Sequence, residues 1–397
     1  MRVGILNIGL VVTGDLSAPL AEADTLILND GRIECLGADV SDVRQCDLVI
    51  DAKGTTAAPG LIDSHVHITF GDFTPRQNMV GYLSSYVQGG VTTSISASEV
   101  HVPGRPTDRI GLKALALAAR GSYENYRPGG MRVHAGSIIL DPALELSDMA
   151  DLARDGLWLA KAGFGAFDDA YGYAPYIKAA KDAGMITTVH TGGSSIPGSG
   201  AISGDHILAL DPHVSFHVNG GPTAMPDADF KRLATQCDAA LQICTAGNLR
   251  TALLCLDEMR KADQLHRLLI ATDTPTGSGV MPLGMLYTIS HLSALGGLPP
   301  EEAIACATGN NARVYGLDTG VLAVGKAADV ILLDAPDGGT QSTALAAIAH
   351  GDIAAIGAVI TDGVPRMVGR SRNTPATTRK VTVERTTILQ DFSATPH

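Results

Sequence analysis

The sequence predicts an α/β protein: a (β/α)8 TIM barrel with a small β-sandwich domain formed by both termini. Three observations predict it. Short strand-like segments crowd the two ends of the chain, eight apolar runs alternate with helical stretches between them, and the chemistry-bearing residues fall where those runs stop.

The N-terminal segments are residues 3–12, 25–29, 32–36 and 48–50, with no long helix among them. Asn29-Asp30-Gly31 between two of them is a hairpin signal, because a two-residue turn that matches strand twist needs positive φ at both central positions. Similar segments return at 329–333, 356–360 and 366–368, with Asp362-Gly363 as the last turn. Residues 1–58 and 318–380 are therefore expected to form one composite β-sandwich domain, and residues 381–397 a peripheral C-terminal tail.

Between them, residues 59–317 read as the barrel. Strands are expected at 61–67, 91–97, 131–138, 157–162, 186–191, 214–218, 239–244 and 267–272. Helices are expected at 108–120, 147–155, 174–183, 226–236, 247–262, 285–295 and 300–308. Active sites of such barrels lie at the C-terminal ends of the strands.

Composition agrees. The 397 residues suffice for one large domain and a smaller one, and 45% hydrophobic residues supply the core. A net charge of −12 without a basic stripe argues against nucleic acid as a partner. Six scattered cysteines without a Cys-x-x-Cys pair read as reduced thiols of a cytoplasmic protein. The apolar start, Met1 to Val12, is interrupted by Asn7 and followed by Thr13-Gly14-Asp15, so it reads as a first strand and turn; no run has membrane-spanning length, and no membrane partner is expected.

The most informative motif is Pro59-Gly60-Leu61-Ile62-Asp63-Ser64-His65-Val66-His67. Residues i and i+2 of a strand point to one face with Cα atoms about 6.6 Å apart. Two imidazoles so placed can both reach one metal ion at about 2.1 Å. Other strand ends add to the pair: Lys161 after Leu157-Trp158-Leu159-Ala160, His190 after Ile186-Thr187-Thr188-Val189, His213 and His217 around Val214-Ser215-Phe216, and Asp273 after Leu268 to Thr272. Singly, each has an ordinary explanation. A lone His190 is more often a satisfied core residue, Lys161 could reach solvent, and Asp273 before Thr274-Pro275 could form a turn. Together, at the ends of barrel strands, they point to a metal centre. Of the strand-six pair only His217 lies at the C-terminal end, so His213 is taken as structural.

With these residues the chain resembles the binuclear amidohydrolase superfamily, and more specifically the enamidases, which open the ring amide of 1,4,5,6-tetrahydro-6-oxonicotinate. The specific segments are Pro75-Arg76-Gln77, Gly89 to Ala97, Pro103-Gly104-Arg105-Pro106, His190 to Ser199, Asn219 to Ala224 and Ala307 to Asn310. The resemblance implies that His65, His67 and Asp273 hold one divalent metal, that His190 and His217 hold the other, and that Lys161, carboxylated by CO2, bridges them. Zinc, or iron, manganese or cobalt, fits these donors. It also implies a bridging hydroxide as nucleophile, Asp273 as the catalytic proton carrier, a cyclic amide as substrate and a homotetramer. The enamidase pattern has a glutamate where this chain has Lys161. Thr191, Ser194 and Asn219 in the loops after strands five and six, and the cations Arg76 and Arg105, are the candidate substrate-binding residues. Dihydroorotase- or hydantoinase-like and isoaspartyl-dipeptidase-like hydrolysis are alternatives within this chemistry. A catalytically silent scaffold would be expected to lack a ligand, and none is missing.

Overall fold

This computed structural model describes residues 1–68, 81–99, 105–195, 198–220, 223–275 and 279–387. Both ends of the chain build two packed sheets. One has the order Thr382–Thr386, Leu48–Asp51, Arg2–Leu6, Leu26–Asn29, Arg32–Leu36; the other runs Val364–Val368, Ala355–Thr361, Val330–Asp334, Thr56–Pro59, Leu10–Val12, Leu20–Ala21. Val3, Ile5, Leu26, Leu28, Leu48, Ile50, Val330, Leu332 and Ile360 fill the layer between them. The expected hairpin is present: Asn29 pairs with Arg32, and Asp30 and Gly31 both take positive φ. One segment differs from expectation. Thr382–Thr386 is not part of a peripheral tail but an edge strand on Leu48–Asp51. Only its first residue is even half-buried, so it carries none of the apolar signal by which strands are read.

The barrel strands are Leu61–Val66, Val91–Ser96, Arg132–His134 continued by Ser137–Ile139, Leu159–Ala162, Ile186–His190, Val214–Phe216, Ala240–Cys244 and Leu268–Ala271. They are parallel and almost wholly buried, as strands covered by helices outside and side chains inside must be. The third strand, expected as one piece over 131–138, is broken at Ala135-Gly136. Glu99, itself buried, reaches across from the end of the second strand and accepts from the N–H groups of Gly136 and Ser137 at 2.5 and 2.9 Å. The first piece therefore pairs only with the second strand and the second piece only with the fourth.

The expected helices appear at Arg109–Glu124, Asp148–Arg154, Ala174–Asp182, Asp227–Gln236, Leu249–Lys261, Gly284–Ala294 and Pro300–Ala307. Asp108 and Asn248 cap two of them, accepting from the N–H of Gly111 and Thr251. Short helices that were not anticipated, among them Tyr82–Gln88, Gly204–Leu210 and Gly309–Tyr315, span seven residues each, too few for a clear period. No helix among the described residues is long and apolar enough to cross a membrane, and all six cysteines are free.

Closure of the barrel is what assembles the strand ends. The N–H of Asp273 donates to the carbonyl of His65, and the N–H of His67 to that of Thr274, both at 2.9 Å. Beneath them the buried Asp63 accepts from the N–H and hydroxyl of Thr272 at 3.0 and 2.6 Å. The first and eighth strands are thus pinned where the ligand candidates emerge. Replacing Asp63 by Ala leaves those donors without an acceptor and should cost about 2 kcal/mol in urea unfolding. Asp63→Asn, which keeps one acceptor oxygen, should cost less.

Candidate metal centre

Six of the residues singled out from sequence meet at the C-terminal mouth of the barrel. Asp273 Oδ1 lies 3.1 Å from Nε2 of His65 and 3.1 Å from Nε2 of His67. Donor atoms of these three buried residues lie within 4.8 Å of one another, a spacing that can hold one metal ion. Next to them, His190 Nδ1 and His217 Nε2 are 3.1 Å apart, and the His65 and His217 rings are 5.2 Å apart. Lys161 is 1% exposed, with Nζ 4.0 Å from the centre of the Phe216 ring. Burial pushes its pKa down to about 7, against the pull of the Asp273 charge.

Backbone conformation aims two of these groups. His217 and Asp273 leave their strands with φ of 34° and 59°, a region most side chains avoid.

Hydrogen bonds on the far sides of the rings decide the tautomers. His190 Nε2 lies 2.5 Å from the carbonyl of Gly193, and His217 Nδ1 lies 3.1 Å from the carbonyl of Thr191. A carbonyl only accepts, so both outer nitrogens carry the proton. The inner nitrogens, His190 Nδ1 and His217 Nε2, are then two lone pairs facing each other. A second proton on either ring is disfavoured, since burial pushes His190 down to about 4 and His217 well below its ordinary value. Two facing lone pairs in a buried pocket suit a cation between them. Burial likewise lowers His67 to about 4. Burial pushes Asp273 up, while positive charge on His65, His67 and His217 draws it well below the usual carboxylate range; with those rings neutral, a cation among them would take that part.

Gly193 is placed by necessity. A Cβ there would lie 1.6 Å from the Thr223 hydroxyl, and Gly192 beside it has φ of 103°. Small residues in this loop let the carbonyl of Gly193 reach His190.

The candidate substrate residues fare differently. Thr191 is buried, its hydroxyl bonded to Ser215 at 2.6 Å and its carbonyl to His217. Ser194 donates to the carbonyl of Ser199 at 2.6 Å. Asn219 braces strands six and seven through the N–H and carbonyl of Cys244, both at 2.9 Å. These side chains are engaged within the protein and shape the loops. Arg105 is half-buried, donates to the carbonyl of Phe164, and lies 5.8 Å from the centre of the Phe164 ring, which is itself 5.4 Å from Lys161 Nζ. Arg76 lies outside the described residues. His213 stays apart, its Nδ1 accepting from the N–H of Thr187.

Sequence reasoning missed three neighbours of the ligands: Gln242, 2.7 Å from His65 Nδ1; Ser98, 3.3 Å from His67 Nδ1; and Cys244, 3.8 Å from His65 Nδ1. A glutamine in the otherwise apolar run Ala240-Leu241-Gln242-Ile243 was the available signal.

The family described as Amidohydrolase family matches residues 56–368 of this chain. Enamidase of Eubacterium barkeri is 40% identical over 378 residues, 94% of this chain and 97% of that protein. A crystal structure of enamidase superposes with a TM-score of 0.92, covering 96% of this chain and 100% of that one. A β-aspartyl dipeptidase from Fervidobacterium islandicum, 18% identical with a TM-score of 0.63 over 93% of this chain and 96% of that one, shares the fold.

Gly193→Ala should lower stability by about 1–3 kcal/mol through overpacking and weaken metal retention by displacing the carbonyl that holds His190. Thr223→Ala, which removes the hydroxyl in the way, should restore part of both when the two are combined. Thermal melts and bound-metal analysis of the single and double variants check this.

Proposed function

The chain belongs to the amidohydrolase family, and we propose that it is an enamidase-like lactam hydrolase that uses two divalent metal ions to break the C–N bond of a cyclic amide. The observation that carries this reading is the pair of adjoining donor sets, His65/His67/Asp273 and the facing lone pairs of His190 and His217. His65, His67 and Asp273 would hold one ion, and His190 and His217 the other. Lys161 would reach both as its CO2 adduct. Uptake of CO2 needs a neutral amine, and a buried side chain whose pKa is lowered to about 7 supports that. Zinc suits the donors, as do iron, manganese and cobalt, and such ions supply an activated water and a polarised carbonyl.

The residues do the rest. Asp273 stays ionised at neutral pH and can accept a proton from the attacking water and return it to the leaving nitrogen. Phe164 and Phe216 flank the Lys161 amine and keep bulk water from it. Arg105, beside the Phe164 ring that also borders Lys161, is suited to bind a carboxylate on the substrate. The free thiols and the lack of a membrane-spanning helix among the described residues fit a cytoplasmic enzyme, and assembly as a homotetramer would follow the resemblance.

A screen of unsaturated lactams, hydantoins and dihydropyrimidines with metal-loaded protein tests the reading. Turnover confined to lactams is expected; turnover of hydantoins or dihydropyrimidines alone would overturn it. Chelation should abolish activity and divalent metal restore it. Asp273→Asn should lower kcat about 1,000-fold. Arg105→Met should raise KM about tenfold, or roughly 1.4 kcal/mol, for a carboxylated lactam and leave an uncharged analogue unaffected. Lys161→Ala should reduce bound metal below that of the parent protein, as read by elemental analysis.

A further inference from the structure

Behind His65 runs a chain of buried polar side chains that no catalytic role explains. It begins at Asn311 on the helix Gly309–Tyr315, passes through Ser64 on the first strand and Gln242 on the seventh, and ends at His65 Nδ1. All four residues are buried, His65 at 1% exposure and the other three at 0%.

The polarity of this chain follows by elimination. Asn311 Nδ2 lies 3.3, 3.1 and 3.2 Å from the carbonyls of Ile62, Ile270 and Cys306. Turned over, the amide would set its oxygen against three carbonyl oxygens, so the NH2 must face them. Oδ1 of Asn311 therefore faces Ser64 Oγ at 2.6 Å, and only the Ser64 hydroxyl can donate there. With its proton so used, Ser64 Oγ can only accept at the 2.8 Å contact with Gln242, which must present its NH2. Gln242 Oε1 is then left facing His65 Nδ1 at 2.7 Å, and an oxygen at that distance needs a proton on the ring. The other ring nitrogen, Nε2, is left as a bare lone pair beside Asp273. Cys244 Sγ, 3.5 Å from Gln242 Oε1, can donate to the same oxygen and favours the same orientation.

We propose that Asn311, Ser64 and Gln242 form a one-way hydrogen-bond relay that transmits the polarity of three main-chain carbonyls to His65 and so fixes its metal-binding tautomer. They are positioning residues acting through His65. Such outer partners commonly alter metal affinity by about 10–100-fold. Unlike the carbonyls that orient His190 and His217, the partner of His65 is a reversible amide, and its orientation needs the relay behind it. The inference rests on the metal-centre reading above.

The test is zinc affinity of the metal-free full-length protein, measured by competition with a chromogenic chelator, with thermal melts alongside. Gln242→Leu should weaken the ion at His65/His67/Asp273 about tenfold or more. Gln242→Glu presents an accepting oxygen to His65 in either orientation and should keep the affinity, with the Ser64 hydroxyl turning from Asn311 to donate to the second carboxylate oxygen. Ser64→Ala frees the Gln242 amide to turn over and should weaken binding in the parent protein, yet have no effect in the Gln242→Glu background. That non-additivity separates a relay from simple packing, which would cost the same in both backgrounds. Should Gln242→Leu not fold, the Ser64→Ala comparison still decides. Parent-like affinity in Gln242→Leu, or an equal Ser64→Ala loss in both backgrounds, would overturn the relay while leaving the metal centre intact. A parent protein that binds no zinc would overturn both.

Discussion

Two buried imidazole nitrogens that face each other without a proton between them set the terms for the rest of this structure. His190 and His217 each give their single proton to a carbonyl on the far side, Gly193 and Thr191, and burial opposes a second proton on either ring. What remains at 3.1 Å is repulsive unless a cation lies between. The Gly192-Gly193 turn, the close approach to Thr223 and the positive φ of His217 all serve to hold that arrangement. Metal binding there relieves that repulsion and so couples to the stability of the fold.

The neighbouring half-site is organised differently. His65, His67 and Asp273 come from the two strands that close the barrel, and main-chain bonds at 2.9 Å between those strands bring them together. Closure and ligand placement are one event, so barrel integrity and metal binding should be linked. Lys161 is packed on Phe216 and unable to reach solvent. In a pocket this apolar, an amine is pressed toward its neutral form, the form that reacts with CO2.

Much of this was legible in the sequence because burial writes itself plainly. A parallel strand covered on both faces reads as an apolar run, so a polar residue ending such a run stands out: His190 after Thr188-Val189, Asp273 after Ala271-Thr272. The Asn29-Asp30-Gly31 turn was legible because its backbone geometry demands those residues. Other features depend on partners far away in the chain. The break in the third strand is made by Glu99, which nothing near Gly136 announces. The strand Thr382–Thr386 lies on an exposed edge and carries no apolar pattern. Thr191, Ser194 and Asn219 looked like substrate donors because they are polar and well placed, but their groups are bonded within the fold. Gln242 meets Ser64 across 178 residues, a separation no local pattern can encode.

Anomalous scattering from crystals of the protein as purified, recorded at the absorption edges of zinc, iron, cobalt and manganese, tests the central claim most directly. The account predicts two metal peaks per chain, one among His65, His67 and Asp273 and one between His190 and His217, with continuous density from the Lys161 side chain toward both. A single peak, or ordered water in place of metal between His190 and His217, would contradict it.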